Sequence, residues 1–284
     1  MIKKTLFIVL SILGLQVQAA EQQTITYAGD PFKYKKEETV RDMRKIAVLA
    51  YGSLINDPAP SDGRPKLKIS SQFASTGIKV PIALSRHSSK GKDNERVTAV
   101  IDNSIGTEKE LYSATSWTQF LPNARNNLAG REGINLKDGK YDLKTSYYLK
   151  KLLPGKQKEA DESFIPGTNN QWVRRSSDSA PDLRRAALKD AKAKEIADWA
   201  DRKDYTAAIW ASFPPTFATE QDVAKELVKQ ENGRRLLKNT QKYVRDLHVG
   251  VLANVPKTRF ENAILSANPQ DLRGSDLRKI ANGQ

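Results

Sequence analysis

An unbroken apolar run stands out near the start of the chain, where Ile46–Ala50 follows the mostly charged stretch 41–45. Five consecutive apolar residues that do not alternate with polar ones are typical of a strand buried on both faces. Gly52 then interrupts the run two residues later. The pattern therefore predicts a buried first strand that ends in a tight turn.

Alternating patterns follow this first strand. Apolar residues occupy every second position in Gly77–Ser85 and in Arg96–Ile101, and a third strand is expected over Glu110–Trp117. Tyr205–Phe213 has the character of a further core strand and is stopped by two prolines. Closely spaced strands after a buried one favour an α+β fold with a mixed, barrel-like sheet and attached helices.

Helical spacing appears in the middle and at the end of the chain. We expect helices over about Pro122–Leu128 and from about Ser179 to Arg202. Thr219 and Asp222 have the spacing of a helix start, and further helical patterns follow Leu236 and Pro256. Residues 219–284 are therefore predicted to form a helical elaboration that packs on the sheet.

These patterns give a domain organisation. Residues 20–45 are expected to form an N-terminal arm and 46–218 the main domain, with an insertion at about 137–181. Aromatic residues of this insertion could cover a site as a lid, or pack against one another in an elaborated loop; they are Tyr141, Tyr147, Tyr148 and Trp172.

Residues 1–19 carry the signature of a cleavable signal peptide. Lys3 and Lys4 precede the apolar run Thr5–Leu15, and Val17-Gln18-Ala19 provides small residues for cleavage. The apolar run is shorter than the roughly 20 residues of a membrane span. We therefore expect a periplasmic or secreted protein without a membrane span.

Composition narrows the possible partners. The 284 residues carry a formal net charge of +14 and no cysteine. Removal of Lys3 and Lys4 with the signal peptide leaves 14 − 2 = +12, which favours anionic partners such as envelope polymers. The predicted helix that ends near Arg202 has a basic face that could contact polyanions. Secretion argues against nucleic acid as the partner.

The chain lacks the residues that several kinds of functional site require. The two histidines, His87 and His248, provide too few ligands for a transition-metal site, and neither belongs to a recognisable catalytic motif. Neither of the two glycine-rich phosphate-binding motifs is present. We therefore expect no metal and no nucleotide cofactor.

The turn after the first strand contains Tyr51-Gly52-Ser53-Leu54. Glycine permits a positive φ and close approach of the backbone to a ligand, and serine adds a hydroxyl, so this turn suits an anion such as a carboxylate. The same residues are also compatible with a turn that only closes a core strand.

This tetrapeptide resembles the loop after the first strand in the γ-glutamylcyclotransferase superfamily, and the chain resembles a secreted bacterial member. The segments Pro81–Ser89 and Arg96–Asp102 are similar to the second and third strands of such proteins, in which Arg-x-Ser follows an aliphatic strand. The resemblance implies that Tyr51–Leu54 hold the glutamyl end of a substrate and that Arg86 faces it. An arginine fork suits carboxylate binding.

The resemblance also implies a catalytic glutamate. Such enzymes let the α-amine of a γ-glutamyl substrate attack the γ-carbonyl, which yields 5-oxoproline, and one carboxylate can shuttle the protons. Leu128–Ile134 contains Gly130-Arg131-Glu132-Gly133, which matches the context of that residue in the family. Glu132 is therefore the candidate base, and Glu110 is the alternative.

Three functions remain open from the sequence. The first is a lyase or acyl-transfer enzyme that releases 5-oxoproline from a small γ-glutamyl amine or peptide. The second is a catalytically silent module of the same fold that binds anionic envelope polymers. The third is another acyl-transfer reaction in the same pocket.

Overall fold

A computed structural model describes residues 45–56, 58, 64–88, 95–133, 136–137, 140–141, 146–152, 155–158, 160, 162–168, 171–175, 184–229, 233–253 and 255–284. The predicted signal peptide, nearly all of the predicted arm and the expected helix start at Ser179 lie outside these residues. Met1–Met43 and Arg44–Gln284 are separate units, and only the second is described further.

Ten strands in the described part of the chain form one large sheet and one small hairpin. They are β1 Ile46–Ala50, β2 Ala74–Ser88, β3 Arg96–Ile101, β4 Thr107–Thr115, β5 Leu136–Lys137, β6 Lys140–Tyr141, β7 Ser146–Lys151, β8 Glu162–Phe164, β9 Trp172–Arg175 and β10 Ala207–Ala211. The large sheet has the order β3-β2-β4-β1-β10-β7-β9-β8, and β5 pairs with β6. Only β1 and β10 run parallel among its described ladders, so the predicted mixed α+β sheet is confirmed.

The central strand β1 is buried at every residue, as its apolar run predicts. Ala47 and Leu49 point into a core on one face of the sheet, and Val48 and Ala50 into a core on the other. The helices that cover these faces explain why the strand is apolar throughout.

The sheet is open rather than a closed barrel: over the described chain, β3 and β8 are its edges. A connecting segment nevertheless links the ends of two distant strands. Arg185 forms an ion pair with buried Asp102 after β3 (2.6 Å), and Ser212 after β10 donates to the carbonyl of Ala186 (2.9 Å). The ends of β3 and β10 are therefore tied together without a backbone ladder.

Seven α-helices accompany the sheet in the residues that the structure describes. They are α1 Ser53–Asn56, α2 Leu121–Arg131, α3 Asp190–Arg202, α4 Glu220–Leu227, α5 Gly233–Leu247, α6 Arg259–Ser266 and α7 Asp276–Ala281. Helix α2 packs on the face of β1 that carries Val48, and α3 on the face that carries Leu49. Within the described chain, no helix has the length and apolar character needed to cross a bilayer.

Three helix boundaries differ from the prediction. Helix α2 continues to Arg131 and so includes Gly130, which was expected to lie in a loop. Residues 184–187 form a turn and a bend, and α3 begins only at Asp190. The sequence Asn232-Gly233 predicts the end of a helix, but Gly233 begins α5, where its hydrogen atoms fit beside the Leu227 carbonyl and a Cβ would lie 2.8 Å from it.

The predicted insertion at about 137–181 contributes strands to the main sheet. Strands β7, β9 and β8 extend it beyond β10. Tyr147 stacks on Trp210 at 5.8 Å, and the fully buried Trp172 donates its indole N–H to Asp201 (2.9 Å). These side chains, together with buried Tyr148, belong to the core, so a lid made from them is wrong; the side chain of Tyr141 lies outside the description.

The C-terminal helices pack against the other end of the sheet, as predicted. Leu84 of β2 and Val97 of β3 share a core with the apolar faces of α4 to α7. The start of α4 is confirmed, because Thr219 and Asp222 form reciprocal capping hydrogen bonds. Thr258 and Glu261 form the same arrangement at the start of α6.

Candidate active site

The predicted loop 51–54 joins β1 to α1. The amide of Ile55 donates to the carbonyl of Gly52 (3.0 Å), and Leu54 and Ile55 anchor the helix in the core. Gly52 has no positive φ, so the expected reason for glycine is wrong. A Cβ at this position would lie 3.6 Å from the Tyr243 hydroxyl and 3.8 Å from Leu247, which is ordinary van der Waals contact.

Tyr51 lies at the carboxyl end of β1 with its ring packed against the core. Its hydroxyl donates to the carbonyl of Ala211 on β10 (2.8 Å). Burial raises the pKa of Tyr51 strongly, and the charges of Glu132 and Tyr243 raise it further, whereas the Ile101 backbone and Arg86 lower it. The tyrosine is therefore a neutral hydrogen-bonding group at neutral pH.

Arg86 is directed by an irregularity in β2. The register with β3 shifts between Leu84 and Arg86, and such bulges re-aim the side chains that follow them. The guanidinium lies 4.4 Å from the ring centroid of Phe213. Burial lowers the pKa of Arg86, while the charges of Tyr51 and Glu132 act in the opposite direction.

Glu132 is the C-cap residue of α2. Its amide donates to the carbonyl of Leu128 (2.9 Å), and Gly133 follows with φ 66°, a left-handed conformation that ends the helix. The side chain is half-buried, and its charge raises the pKa values of Tyr51 and Tyr243. Glu132 therefore lies in the same electrostatic environment as the 51–54 loop.

Tyr243 is a site residue that the sequence reasoning missed. It lies on the buried face of α5, accepts a hydrogen bond from the amide of Ala99 (3.1 Å) and bonds to the Ser53 side chain. Burial raises the pKa of Tyr243 to about 12, partly offset by the Ala99 hydrogen bond and by Arg96, which lies 5.3 Å from the ring. The available signal was a tyrosine within the apolar stripe of α5.

The structure brings five side chains together from the two sides of the sheet and from the C-terminal helices. We call this group the Glu132 centre: Tyr51, Ser53, Arg86, Glu132 and Tyr243. It combines a carboxylate, a guanidinium and three hydroxyls. Such a set can move a proton, bind a carboxylate and donate to a carbonyl.

The alternative candidate, Glu110, has different neighbours. It accepts hydrogen bonds from the Ser75 hydroxyl and from the amide of Gly77 (3.0 Å) and raises the pKa of Tyr112. Gly77 has φ 75°, so Glu110 stabilises a bend of β2 that requires glycine. This is a structural role.

A second group of charged side chains lies between β4 and α6, and we call it the Glu261 centre: Lys109, His248 and Glu261. Lys109 forms an ion pair with Glu261, and His248 Nε2 lies 3.6 Å from the same carboxylate. Glu261 is 3% exposed and also accepts from the Thr258 amide (2.7 Å). A cavity of about 20 Å³ adjoins it and has room for one water molecule.

Within the part of the chain that the structure covers, no three His, Asp or Glu side chains cluster as metal ligands. Comparisons with known proteins give no identification: no family model matches the chain, and no curated protein or solved structure matches it.

Proposed function

We propose that this protein is a γ-glutamylcyclotransferase-type enzyme that converts a γ-glutamyl amine or peptide into 5-oxoproline and a free amine. The observation that supports this function most directly is the shared environment of Glu132, Arg86 and the 51–54 loop. These residues lie far apart in sequence, and the resemblance to cyclotransferases implies one reaction for all of them.

In this mechanism Glu132 takes a proton from the α-ammonium group of the substrate. The freed amine attacks the γ-carbonyl, a carbon–nitrogen bond closes the five-membered ring, and the bond to the leaving nitrogen breaks. Glu132 passes this proton, and then the second proton of the ring nitrogen, to the leaving nitrogen, which departs as an ammonium ion, and the carboxylate is regenerated. The attack is intramolecular, which reduces its entropic cost.

The remaining residues of the Glu132 centre have binding roles in the proposal. Arg86 pairs with the substrate α-carboxylate, for which a planar guanidinium is well suited. Ser53 and Leu54 belong to the first turn of α1, and the amides of a first turn point out of the helix toward an acceptor. Tyr51 and Tyr243 remain protonated and position Ser53 and the loop.

Product analysis tests the reaction. Incubation with γ-glutamyl dipeptides that carry a free α-amine should yield 5-oxoproline by mass spectrometry, and N-acetylated analogues should not react. Glu132→Gln should reduce turnover by about 10²–10⁴-fold while substrate binding persists, which is the usual share of a general acid–base group.

Glu110→Gln is the matched control, because it makes the same substitution at the alternative catalytic glutamate. This variant should retain turnover. Release of glutamate instead of 5-oxoproline would indicate a hydrolase. Equal losses of turnover in the two variants would mean that Glu132 is not the general acid–base group.

The competing function is a binding module of the same fold that recognises anionic polymers. The basic outer face of α5 favours it. A folded protein that yields no product from a panel of free-amine γ-glutamyl compounds would support the binding module over the enzyme.

A further inference from the structure

One face of α5 carries a line of positive charge that the candidate active site does not use. Arg234, Lys238, Lys242 and Arg245 are all exposed and follow one another at intervals of four, four and three residues. Such spacing places them along one side of a helix. At 1.5 Å per residue, neighbouring charges are separated by about 6 Å along the axis and the line is about 16 Å long.

Several other basic residues on the helices are paired, among them Lys192, Lys194 and Lys279, whereas these four are not. Within the described chain, none of the four has an ion-pair partner, and Arg235 at the side of the line is the one that pairs, with Glu95 (3.2 Å). Asp246, the single acidic residue of α5, lies at the edge of the line.

Helix α3 provides the contrast, because its basic face was the one expected to contact polyanions. Lys192 of α3 pairs with Glu108 (3.5 Å) and Glu195 (3.1 Å), and Lys194 pairs with Asp198. Neutralised lysines attract an external anion weakly. The unpaired line therefore lies on α5 and not on the helix that the sequence indicated.

The buried side of α5 fixes its rotation. Thr240 accepts a hydrogen bond from the amide of Val97 (3.0 Å), and Gln241 donates to the carbonyls of Ile264 (2.8 Å) and Ala267 (2.6 Å). The apolar side chains of the helix are packed in the core. A helix held in this way presents its outer charges without further ordering, which reduces the cost of binding.

We propose that this line of four residues on α5 is a docking surface for a flexible linear polyanion that lies along the helix. The geometry favours a chain over a membrane, because the face offers a single row of cations and no apolar side chain for insertion. It also offers no exposed aromatic ring on which a nucleic-acid base could stack.

The test measures binding of the full chain to long-chain polyphosphate by fluorescence anisotropy. With four charge contacts to a flexible chain, affinity should fall about 50-fold between 50 and 200 mM salt. The variant Arg234→Gln/Lys238→Gln/Lys242→Gln/Arg245→Gln should lose most of the affinity and most of the salt dependence.

The matched control is Lys66→Gln/Lys79→Gln/Lys156→Gln/Lys225→Gln, which removes the same charge from four exposed lysines on separate parts of the chain. It should bind within a few-fold of the parent protein. Equal weakening in the two variants would mean that net charge alone is responsible, and absence of binding at 50 mM salt would also overturn the proposal.

Two further binding measurements distinguish a linear polyanion from a membrane and from a nucleic acid. Anionic vesicles and single-stranded oligonucleotides should each bind more weakly than polyphosphate at equal charge concentration, and tighter binding to either would assign the surface to that class instead. Turnover of a γ-glutamyl substrate should be the same in both quadruple variants, so failure of this proposal is distinguishable from failure of the proposed enzyme.

Discussion

The Glu132 centre and the Glu261 centre both hold a carboxylate where a helix meets the sheet, but they lie at opposite helix ends. Glu261 is in the first turn of α6, where exposed amides favour negative charge, and Lys109 neutralises it. Glu132 is the C-cap residue of α2, where the carbonyl ends disfavour negative charge. Its centre directs two tyrosine hydroxyls to backbone and serine partners.

This difference is the reason for proposing the Glu132 centre, and not the Glu261 centre, as the functional one. Every observed interaction of Glu261 satisfies a local requirement of the fold: a helix cap and a buried ion pair. The Glu132 centre gathers buried, perturbed groups in an arrangement that a helix end does not need. Perturbed groups that serve no structural requirement are typical of active sites.

The largest expected difference in stability comes from breaking the Lys109–Glu261 pair. Lys109→Met should lower the free energy of unfolding by about 3 kcal/mol, because it leaves a buried carboxylate without its cation. Denaturation with urea measures this change. Turnover at a temperature where the variant is folded should stay near the parent value.

Arg86→Met is the matched change in the other centre and should show the reverse pattern. Its unfolding free energy should change by less than about 1 kcal/mol, since the methionine can still pack on Phe213. Its KM for a γ-glutamyl substrate should rise at least tenfold, because a charged hydrogen bond is lost. If Arg86→Met is the less stable of the two variants, the division between the centres is wrong.

A substitution of the backbone glycine beside Glu132 should have a smaller effect on stability but should still reduce turnover. Gly133→Ala should cost about 1 kcal/mol, because φ at this position is 66°. It should also shift Glu132 and reduce turnover by up to about 10²-fold, as small displacements of a catalytic group can. Unfolding curves and steady-state rates on the same preparations measure both effects.

Gly77→Ala is the control for this change. Gly77 has φ 75°, and a Cβ there would meet no atom within 4 Å, so the variant should have the same backbone cost. Its turnover should be unaffected. A parallel loss of turnover in both variants would attribute the effect of Gly133→Ala to general destabilisation.

The sequence predicted those elements whose patterns are set by local burial. Strand β1 and strand β3 match their apolar and alternating runs at both ends. The start of α4 follows from a Thr–Asp pair that needs no tertiary partner. Strands β7 and β9 were missed, because their aromatic side chains are buried by distant elements that the local pattern does not record. Tyr147 and Trp172 share a core with α3, and Tyr148 shares one with α2.

The candidate site was predictable only in part for the same reason. Tyr51, Arg86 and Glu132 follow recognisable motifs, whereas Tyr243 enters the centre from a helix 190 residues downstream of Ser53. Helical spacing assigned it to the core, and only the docking of α5 on β3 directs its hydroxyl to Ser53. Backbone freedom was expected to explain the glycine at position 52, but its φ is not positive and a Cβ would make only ordinary contacts with Tyr243 and Leu247, so the structure gives no reason for it.

The smallest expected effect is a pH dependence of stability that belongs to the Glu261 centre. Burial lowers the pKa of His248 below its usual 6.5; Lys257 and Lys109 lower it further, while Glu261 and the Val255 carbonyl act against them. The unfolded chain therefore binds more protons than the native one as pH falls below about 6.5, so acidification reduces the unfolding free energy.

Two carboxylates limit the pH range in which a change in stability can be attributed to His248. Burial would raise the pKa of Glu261, but Lys109, the Thr258 amide and His248 together lower it, so its contribution is lost only at more acidic pH. Burial and Glu261 raise the pKa of Glu220, and that group acts with the opposite sign by adding stability as pH falls. The interval from pH 7 to about pH 5.5 therefore reports His248 most directly.

Urea unfolding at half-unit steps across this interval should show the parent protein losing stability toward acid, by less than Lys109→Met loses at pH 7. His248→Gln should flatten the profile, because the titrating group is gone while an amide can still face the Val255 carbonyl. His87→Gln removes the other histidine of the chain, leaves the Glu261 centre intact and should keep the parent slope. A flat profile in the parent protein, or one flattened by His87→Gln, would mean that the proton equilibrium of the Glu261 centre does not control how firmly α6 is held to β4.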